Sequence, residues 1–379
     1  MEQASTVFGA SERSLFLDRP MSEQPPTTDS AMYVTMHRQP ADLAASLERN
    51  RKPAMEAAER LGRCSRVWLV GIGTSYHAAL VGEWLFRAAG LDAHAVNSLD
   101  FALYPNVYAL KSDDAVVVMA HTGKKSFSSI ALERAKSAGV TVISVGSLTA
   151  EHPGSQLVLR TIEPERSAAY TSSHTTAMSV LAQIAAACSE ALGSANHAIW
   201  RAALAALPDQ MGAVLERDDE VAAVAKLAAP RRMYATGAGP NGATALEAVI
   251  KAREAATANI DALPLEQFLH GPIVSVNEGD VGIVVNVKGA NKAAAERTGE
   301  IAGVLDRIGA HLWLVGQGTT EVAKATVFDL PEVPEEISPI LAVVPMQMLA
   351  YELAVVRKAN PDRFRRDDPR YARAISIRL

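Results

Sequence analysis

An internal repeat is the feature of this sequence that most limits what the chain can fold into. Apolar runs of the strand type recur in the same order and at nearly the same spacing. They occupy residues 67–73, 116–119 and 140–145 in the first half and residues 233–239, 281–287 and 311–316 in the second. A long helical stretch rich in Ala, Leu and Met follows each set, starting near Thr175 and near Pro339. Four landmarks in matched register indicate two related units.

The residue pattern within each unit predicts the fold class. Nearly continuous Val and Ile runs are typical of parallel strands that are covered on both faces. Such strands alternate here with amphipathic or Ala-rich helices, which predicts α/β domains with doubly wound parallel sheets. A length of 379 residues fits about two domains. We therefore expect two tandem doubly wound domains that arose by internal duplication.

The domain boundaries follow from the repeat and from shifts in composition. We expect a helix over 41–61 before the first sheet and a helical connector over 195–230. A polar N-terminal stretch without a signal-peptide core reads as a flexible leader, and the charged end of the chain is expected to dock or fray. The predicted segments are a leader at 1–39, a first domain at 40–215, a second domain at 222–357 and a C-terminal tail at 358–379.

Charge and composition exclude several classes of partner. A net charge of −5, no polybasic run and only 5% aromatic residues argue against nucleic acid. Two cysteines, Cys64 and Cys188, provide neither a disulfide framework nor a cysteine metal site, which fits the reducing cytoplasm. The stretch 175–193 contains Gln183 and Glu190 and is predicted to be a core helix rather than a membrane span. No metal or cofactor is expected, because the histidines lack ligand spacing.

Two glycine-containing loops follow the first and second apolar runs. In the first, Gly73, Thr74 and Ser75 come directly before a helix, where backbone N–H groups and hydroxyls favour an anion. A simple strand-to-helix turn explains the same residues. The second loop, residues 120–126, adds the side chains of His121, Thr122, Lys124 and Lys125. These either converge with the first loop on a phosphate or are exposed cations at a helix start.

A cluster of hydroxyl residues precedes the long helix of the first unit. It runs over residues 169–176 and includes Thr171 and Ser172. Helix capping accounts for one or two of these hydroxyls. A loop that faces a polyhydroxy ligand accounts for the whole cluster, and the sequence leaves both interpretations open.

Three charged residues, Glu247, Lys251 and Glu254, form one stripe on a predicted helix. Such a stripe is usually a solvated ladder of salt bridges. The functional alternative is a carboxylate base, Glu254, whose pKa is tuned by Lys251. His270 follows on a loop with a Gly-Pro turn, where it is either structural or catalytic.

In combination these motifs resemble the SIS (sugar isomerase) superfamily, and within it the isomerase half of the glucosamine-6-phosphate synthases. The resemblance covers about residues 35–379. It is carried by Gly73-Thr74-Ser75-Tyr76, the loop at 120–126, the cluster at 171–176, Glu247 with Lys251 and Glu254, Leu269-His270-Gly271-Pro272, and the region around Gln347.

The resemblance implies a site and its roles. The phosphate of a sugar phosphate would be held by Ser75 and the 121–125 loop. Glu254 would move a proton between C1 and C2, and Lys251 would hold the open-chain sugar. His270 would open the ring, reaching the site of a neighbouring subunit in a homodimer. The C-terminal tail would contribute Arg373.

The sequence also departs from this family. We expect no glutaminase domain, because residue 2 is Glu2 rather than a cysteine nucleophile. The phosphate loop has lost a serine and gained Lys124 and Lys125. Arg373 replaces the family's tail lysine, and an arginine stays protonated and forms no Schiff base.

These features predict a cytoplasmic amino-sugar phosphate isomerase/deaminase that acts on a compound such as glucosamine 6-phosphate. A fructosamine-phosphate deglycase and a nitrogen-free phosphosugar isomerase are alternatives. A sugar-phosphate-binding regulator without catalysis is a third, although a binder would need neither Glu254 nor His270.

Overall fold

Two parallel five-stranded sheets organise the chain, as the computed structural model of residues 25–123, 126–289, 291–317 and 324–374 describes it. The first half contains α1 (Ala31–Leu61), β1 (Arg66–Gly71), α2 (Thr74–Ala88), β2 (Ala93–Asn97), α3 (Ser98–Leu103), β3 (Asp114–Met119), α4 (Ser126–Ser137), β4 (Thr141–Gly146), β5 (Leu157–Arg160), α5 (Ser172–Ala191) and α6 (Asn196–Leu215). The second half contains α7 (Asp218–Ala228), β6 (Met233–Gly237), α8 (Asn241–Ala256), β7 (Ile260–Ala262), α9 (Leu265–Leu269), β8 (Val281–Asn286), α10 (Lys292–Ile308), β9 (His311–Gly316), β10 (Thr326–Asp329) and α11 (Ser338–Arg357), and α12 (Pro369–Ala374) follows.

The two sheets have the same strand order. It is β2-β1-β3-β4-β5 in the first and β7-β6-β8-β9-β10 in the second, and the paired strands are parallel. Alternate residues of β3 enter different apolar clusters, Val117 on one face and Val116 on the other. Both faces are therefore covered by helices, which confirms the predicted α/β class with parallel sheets. The order reverses beside β1, so the carboxyl ends of β1 and β3 form a crevice suited to a ligand.

The first helix begins earlier than the sequence predicts. The leader was expected to extend to residue 39, yet α1 starts at Ala31 and includes Pro40. Two contacts explain the difference: Ser30 caps the helix, and the Asp362 carboxylate accepts the N–H groups of Ala31 and Met32, each at 2.8 Å. The second contact comes from the far end of the chain and has no local signal. Residues 1–24 lie outside the described residues.

Helices rather than loops join the two halves. The predicted connector over 195–230 consists of α6, which packs on α1 and α5, and α7, which packs on α11. Residues 175–191 of the stretch 175–193 lie within the buried helix α5, as predicted for a core helix. Among the described residues α11 is the one helix long and apolar enough to cross a membrane, but 83% of that segment is buried inside the fold. Its hydrophobicity is explained by its place in the core.

Candidate functional site

The turn between β1 and α2 forms one wall of the site. Gly73 has a φ of 58°, a conformation that favours glycine, and a Cβ on Gly71 would collide with the backbone of Ser75. The two glycines therefore let the chain leave the strand and enter the helix within three residues. This tight turn brings Thr74 and Ser75 to the carboxyl edge of the first sheet.

A small cavity lies at this edge, between the turn and the start of α5. Its volume is about 20 Å³, room for little more than one water molecule. The polar part of the lining includes the side chains of Ser75, His121, Tyr170 and Ser173.

The side chains of the second predicted loop, residues 120–126, face two different places. The side chain of His121 lines the cavity and packs edge-on against Tyr170, with ring centroids 5.1 Å apart. Thr122 lines a separate surface groove with Gly123 and Glu151. Lys124 and Lys125 lie outside the described residues. Of this loop, His121 is thus the residue that the described fold brings to the cavity.

Buried polar atoms without a hydrogen-bond partner gather at the same edge. Within the part of the chain that the structure describes, they include the hydroxyls of Ser98, Ser128 and Ser147 and both ring nitrogens of His152. These residues follow β2, begin α4 or follow β4. Buried polar groups are normally paired, so a cluster of unpaired ones suggests an edge built to meet a polar ligand.

The charged stripe on α8 is a buried network and not a solvated ladder. Glu247 is fully buried between the two halves. Its carboxylate accepts a hydrogen bond from the Thr74 hydroxyl at 2.9 Å and lies 2.6 Å from Nδ1 of His77 and 3.6 Å from Nζ of Lys251. The interpretation of this stripe as a solvated ladder of salt bridges was wrong, because α8 packs against α2. Glu247 joins the halves and does not line the cavity. Its contact with a substrate stays a prediction.

Electrostatics keep Glu247 ionised. Burial acts to raise its pKa, but His174, Lys251 and His77 outweigh burial and hold the pKa at about 2. His174 is itself buried, and its pKa is lowered to about 4 mainly by burial. Above that pH His174 is neutral, so at neutral pH the ion pair with Lys251 and the hydrogen bond with His77 keep Glu247 charged.

Lys251 connects this network to a partly exposed carboxylate. Its Nζ donates to Glu254 at 2.6 Å, and the Lys251 side chain is fully buried while that of Glu254 is 28% exposed. Burial acts to lower the pKa of Lys251, but Glu254 and Glu247 raise it above its usual value. A charged ammonium group therefore fixes Glu254 with one edge open to solvent, the arrangement expected of a steadied general base.

Sequence reasoning missed Glu165, a partly buried carboxylate before α5. Burial raises its pKa, although the backbone N–H groups of Thr171 and Ser173 donate to it at 3.0 and 2.8 Å. The Thr171 hydroxyl also bonds to Glu165, and the Ser172 hydroxyl donates to Asp42 at 2.7 Å. The hydroxyls of Thr171 and Ser172 thus hold the loop and do not line the cavity, contrary to the expectation. Position at a strand's carboxyl end is the signal that could have identified Glu165.

Two predicted catalytic residues lie on the surface of the chain. The side chain of His270 is 72% exposed and lies 3.1 Å from Glu266. Arg373 is in the exposed helix α12, where its Nε donates to the carbonyl of Pro369. An earlier residue of the tail does contact the loop that precedes α5, since the carbonyl of Asp362 accepts the N–H of Ala168.

The corresponding edge of the second sheet holds a smaller cavity. Its volume is about 10 Å³, and its lining includes Asn241, Thr298 and Glu335. The carboxylate of Glu335 lies between Gly239 and Gly289, at the carboxyl edge of β6 and β8, and a Cβ on Gly289 would collide with it. Burial raises the pKa of Glu335. The protein's own carboxylate therefore takes up part of this edge.

Comparison with known proteins relates this chain to a domain family and to several curated proteins. Residues 60–187 match the model of the SIS domain. The glutamine–fructose-6-phosphate aminotransferase (isomerizing) of Pyrococcus horikoshii is 30% identical over 337 residues, which cover 88% of this chain and 56% of that protein. The chain spans about half the length of the curated relatives it matches. The SIS resemblance inferred from the motifs is confirmed.

Solved structures share the fold at low sequence identity. The C-terminal domain of glucosamine-fructose-6-phosphate aminotransferase from Francisella tularensis superimposes with a TM-score of 0.78 at 17% identity, covering 88% of this chain and 98% of that one. Glucosamine-6-phosphate deaminase from Thermotoga maritima gives a TM-score of 0.69 at 20% identity, covering 88% and 97%. The arrangement of both sheets thus occurs in these proteins.

Proposed function

We propose that this chain, which matches the SIS domain, is an amino-sugar phosphate isomerase/deaminase that acts on a compound such as glucosamine 6-phosphate. The observation that carries the proposal is the Lys251–Glu254 pair, a base held at 2.6 Å by a buried ammonium group. The family match and the titles of the related proteins support a phosphosugar substrate. The matched strand orders support an internal duplication, which we include in the proposal.

Each step is assigned to a residue of this chain. The phosphate binds at the edge formed by Thr74, Ser75 and His121. After ring opening, Glu254 takes the proton from C2 of the aldose and returns it to C1, which converts the 2-amino aldose into a ketimine. Water adds to the ketimine carbon, ammonia leaves, and the products are the ketose phosphate and ammonia. Lys251 stabilises the negative charge that develops on the substrate oxygen during proton transfer.

We also propose a homodimer with a shared site. The exposure of the His270 side chain suits a residue that serves the neighbouring subunit. Mixing an inactive Glu254→Gln chain with an inactive His270→Ala chain should restore part of the activity, because one mixed site is intact. Complete failure to restore activity in a demonstrated mixed dimer would contradict the sharing.

The central test is an assay of ammonia and fructose 6-phosphate after incubation with glucosamine 6-phosphate. Glu254→Gln should lower kcat by about 100-fold or more, since it removes the base while keeping its shape. Glu56→Gln, at an exposed pair on α1, is the matched control and should leave kcat unchanged. Substrate affinity of Glu254→Gln, measured by calorimetry, should be retained.

A substrate panel separates the alternatives. Turnover of a fructosamine phosphate alone would indicate a deglycase, and turnover of nitrogen-free sugar phosphates alone a simple isomerase. Binding without turnover of any amino-sugar or sugar phosphate would indicate a regulator. Each of these results would replace the proposed function. The cytoplasmic location expected from the free thiols of Cys64 and Cys188 stays a prediction.

A further inference from the structure

Tyr170 lies between the two chemical ends of the candidate site. Its ring lines the cavity and contacts His121, at the edge where the phosphate is proposed to bind. Its phenol also lies within the electrostatic reach of Lys251 and Glu254, where proton transfer is proposed. Tyr170 is thus the side chain that links the two parts of the site.

The phenol is a hydrogen-bond donor in this position. Burial raises the pKa of Tyr170 further above its usual value, Glu165 and Glu254 act in the same direction, and Lys251 opposes them. The group therefore stays protonated at neutral pH. The bonds of Glu165 to the N–H groups of Thr171 and Ser173 hold the backbone that follows Tyr170.

The substrate chemistry indicates what this donor meets. In a hexosamine 6-phosphate the anion is attached to C6 and the transferred proton leaves C2. A side chain that lines the phosphate edge and lies within the electrostatic reach of the base faces the carbons between them, of which C4 is the midpoint. The orientation of the C4 hydroxyl is what distinguishes gluco from galacto sugars.

We propose that Tyr170 is a specificity-determining residue that donates a hydrogen bond to the C4 hydroxyl of the substrate and selects one C4 epimer. The inference rests on the proposed function and states which hydroxyl of the sugar the site recognises. A site built to pair with a hydroxyl discriminates strongly against a substrate that misplaces it, because a buried polar group is then left unpaired.

The experiment compares kcat/KM for glucosamine 6-phosphate and galactosamine 6-phosphate in three proteins: the parent chain, Tyr170→Phe and Tyr108→Phe. Tyr108 precedes β3, at the opposite end of the sheet from the cavity, and is the matched control. The parent chain and Tyr108→Phe should prefer one epimer by at least about 10-fold. In Tyr170→Phe, kcat/KM for the preferred epimer should fall by about 10-fold to 100-fold, and the preference should shrink to within about 3-fold.

The outcomes separate the inference from its premise. Turnover with an unchanged epimer ratio in Tyr170→Phe, or a parent chain that does not discriminate, overturns the role of Tyr170 and leaves the proposed function intact. No turnover by the parent chain overturns both. The thermal midpoint of Tyr170→Phe should match that of the parent within a few degrees, so that a change in ratio reflects the site and not the fold.

Discussion

At the scale of single residues, the site depends on charges that are buried yet paired. Removing water from a carboxylate costs several kcal/mol unless partners compensate. Glu247 has three such partners, Thr74, His77 and Lys251. The network fixes Lys251, and Lys251 in turn fixes Glu254. The sequence named both carboxylates and the lysine, but it did not distinguish a solvated stripe from a buried network.

His152 is expected to make the stability of the fold depend on pH. Its pKa is lowered to about 4, first by burial and then by Arg160, whereas the unfolded chain has the ordinary value near 6.5. As pH falls through 6.5, the unfolded state takes up a proton that the folded state refuses until about pH 4, so stability is lost across that window. His152→Gln should reduce the loss of unfolding free energy between pH 6.5 and 4.5 by about 2 kcal/mol.

Urea titrations at several pH values measure this slope. The comparison uses the slope and not the absolute stability, because a glutamine in the same buried position has its own cost. A slope identical to that of the parent chain would contradict the role of His152. His174, whose pKa is also lowered to about 4, should account for a further part of the slope.

At the scale of elements, the two ends of the chain stabilise each other. The Asp362 carboxylate accepts two N–H groups at the start of α1, where it also meets the positive end of the helix dipole. Asp362→Ala should lower the free energy of unfolding by about 1–2 kcal/mol. Asp367→Ala, at an exposed position on the same tail, is the control and should have little effect. Equal stability of the two variants in urea would show that the cap contributes nothing.

At the scale of the whole molecule, the two repeats share one core. The largest apolar cluster contains Leu69 and Leu181 from the first half and Ile283 and Leu349 from the second. A buried chain of hydrogen bonds reinforces it: Gln39 donates to Gln347 at 2.9 Å and accepts from the Thr175 hydroxyl at 2.8 Å. A repeat in sequence therefore does not mean two independent folding units.

This shared core predicts one cooperative unfolding transition. Trp200 in α6 and Trp313 in β9 are buried in different halves and report on each half separately. In variants that keep Trp200 or Trp313 as the sole one of the chain's four tryptophans, the fluorescence midpoint in urea should coincide with that of the far-UV circular dichroism. Separated midpoints would indicate that the halves unfold independently.

The amino-acid sequence alone predicted β1, β3, β4, β6, β8 and β9 and their parallel arrangement, because apolar runs and glycine turns act over short distances along the chain. It also identified the α8 stripe and the Gly73 turn. It did not predict β2, β5, β7 and β10. Contacts between distant segments decided the rest: the start of α1, the burial of Glu247, the holding roles of Thr171 and Ser172, and the entry of Glu165 and Tyr170 into the site. Each of these depends on which helix packs against which. A charge is buried only when the helices that exclude water from it are in place.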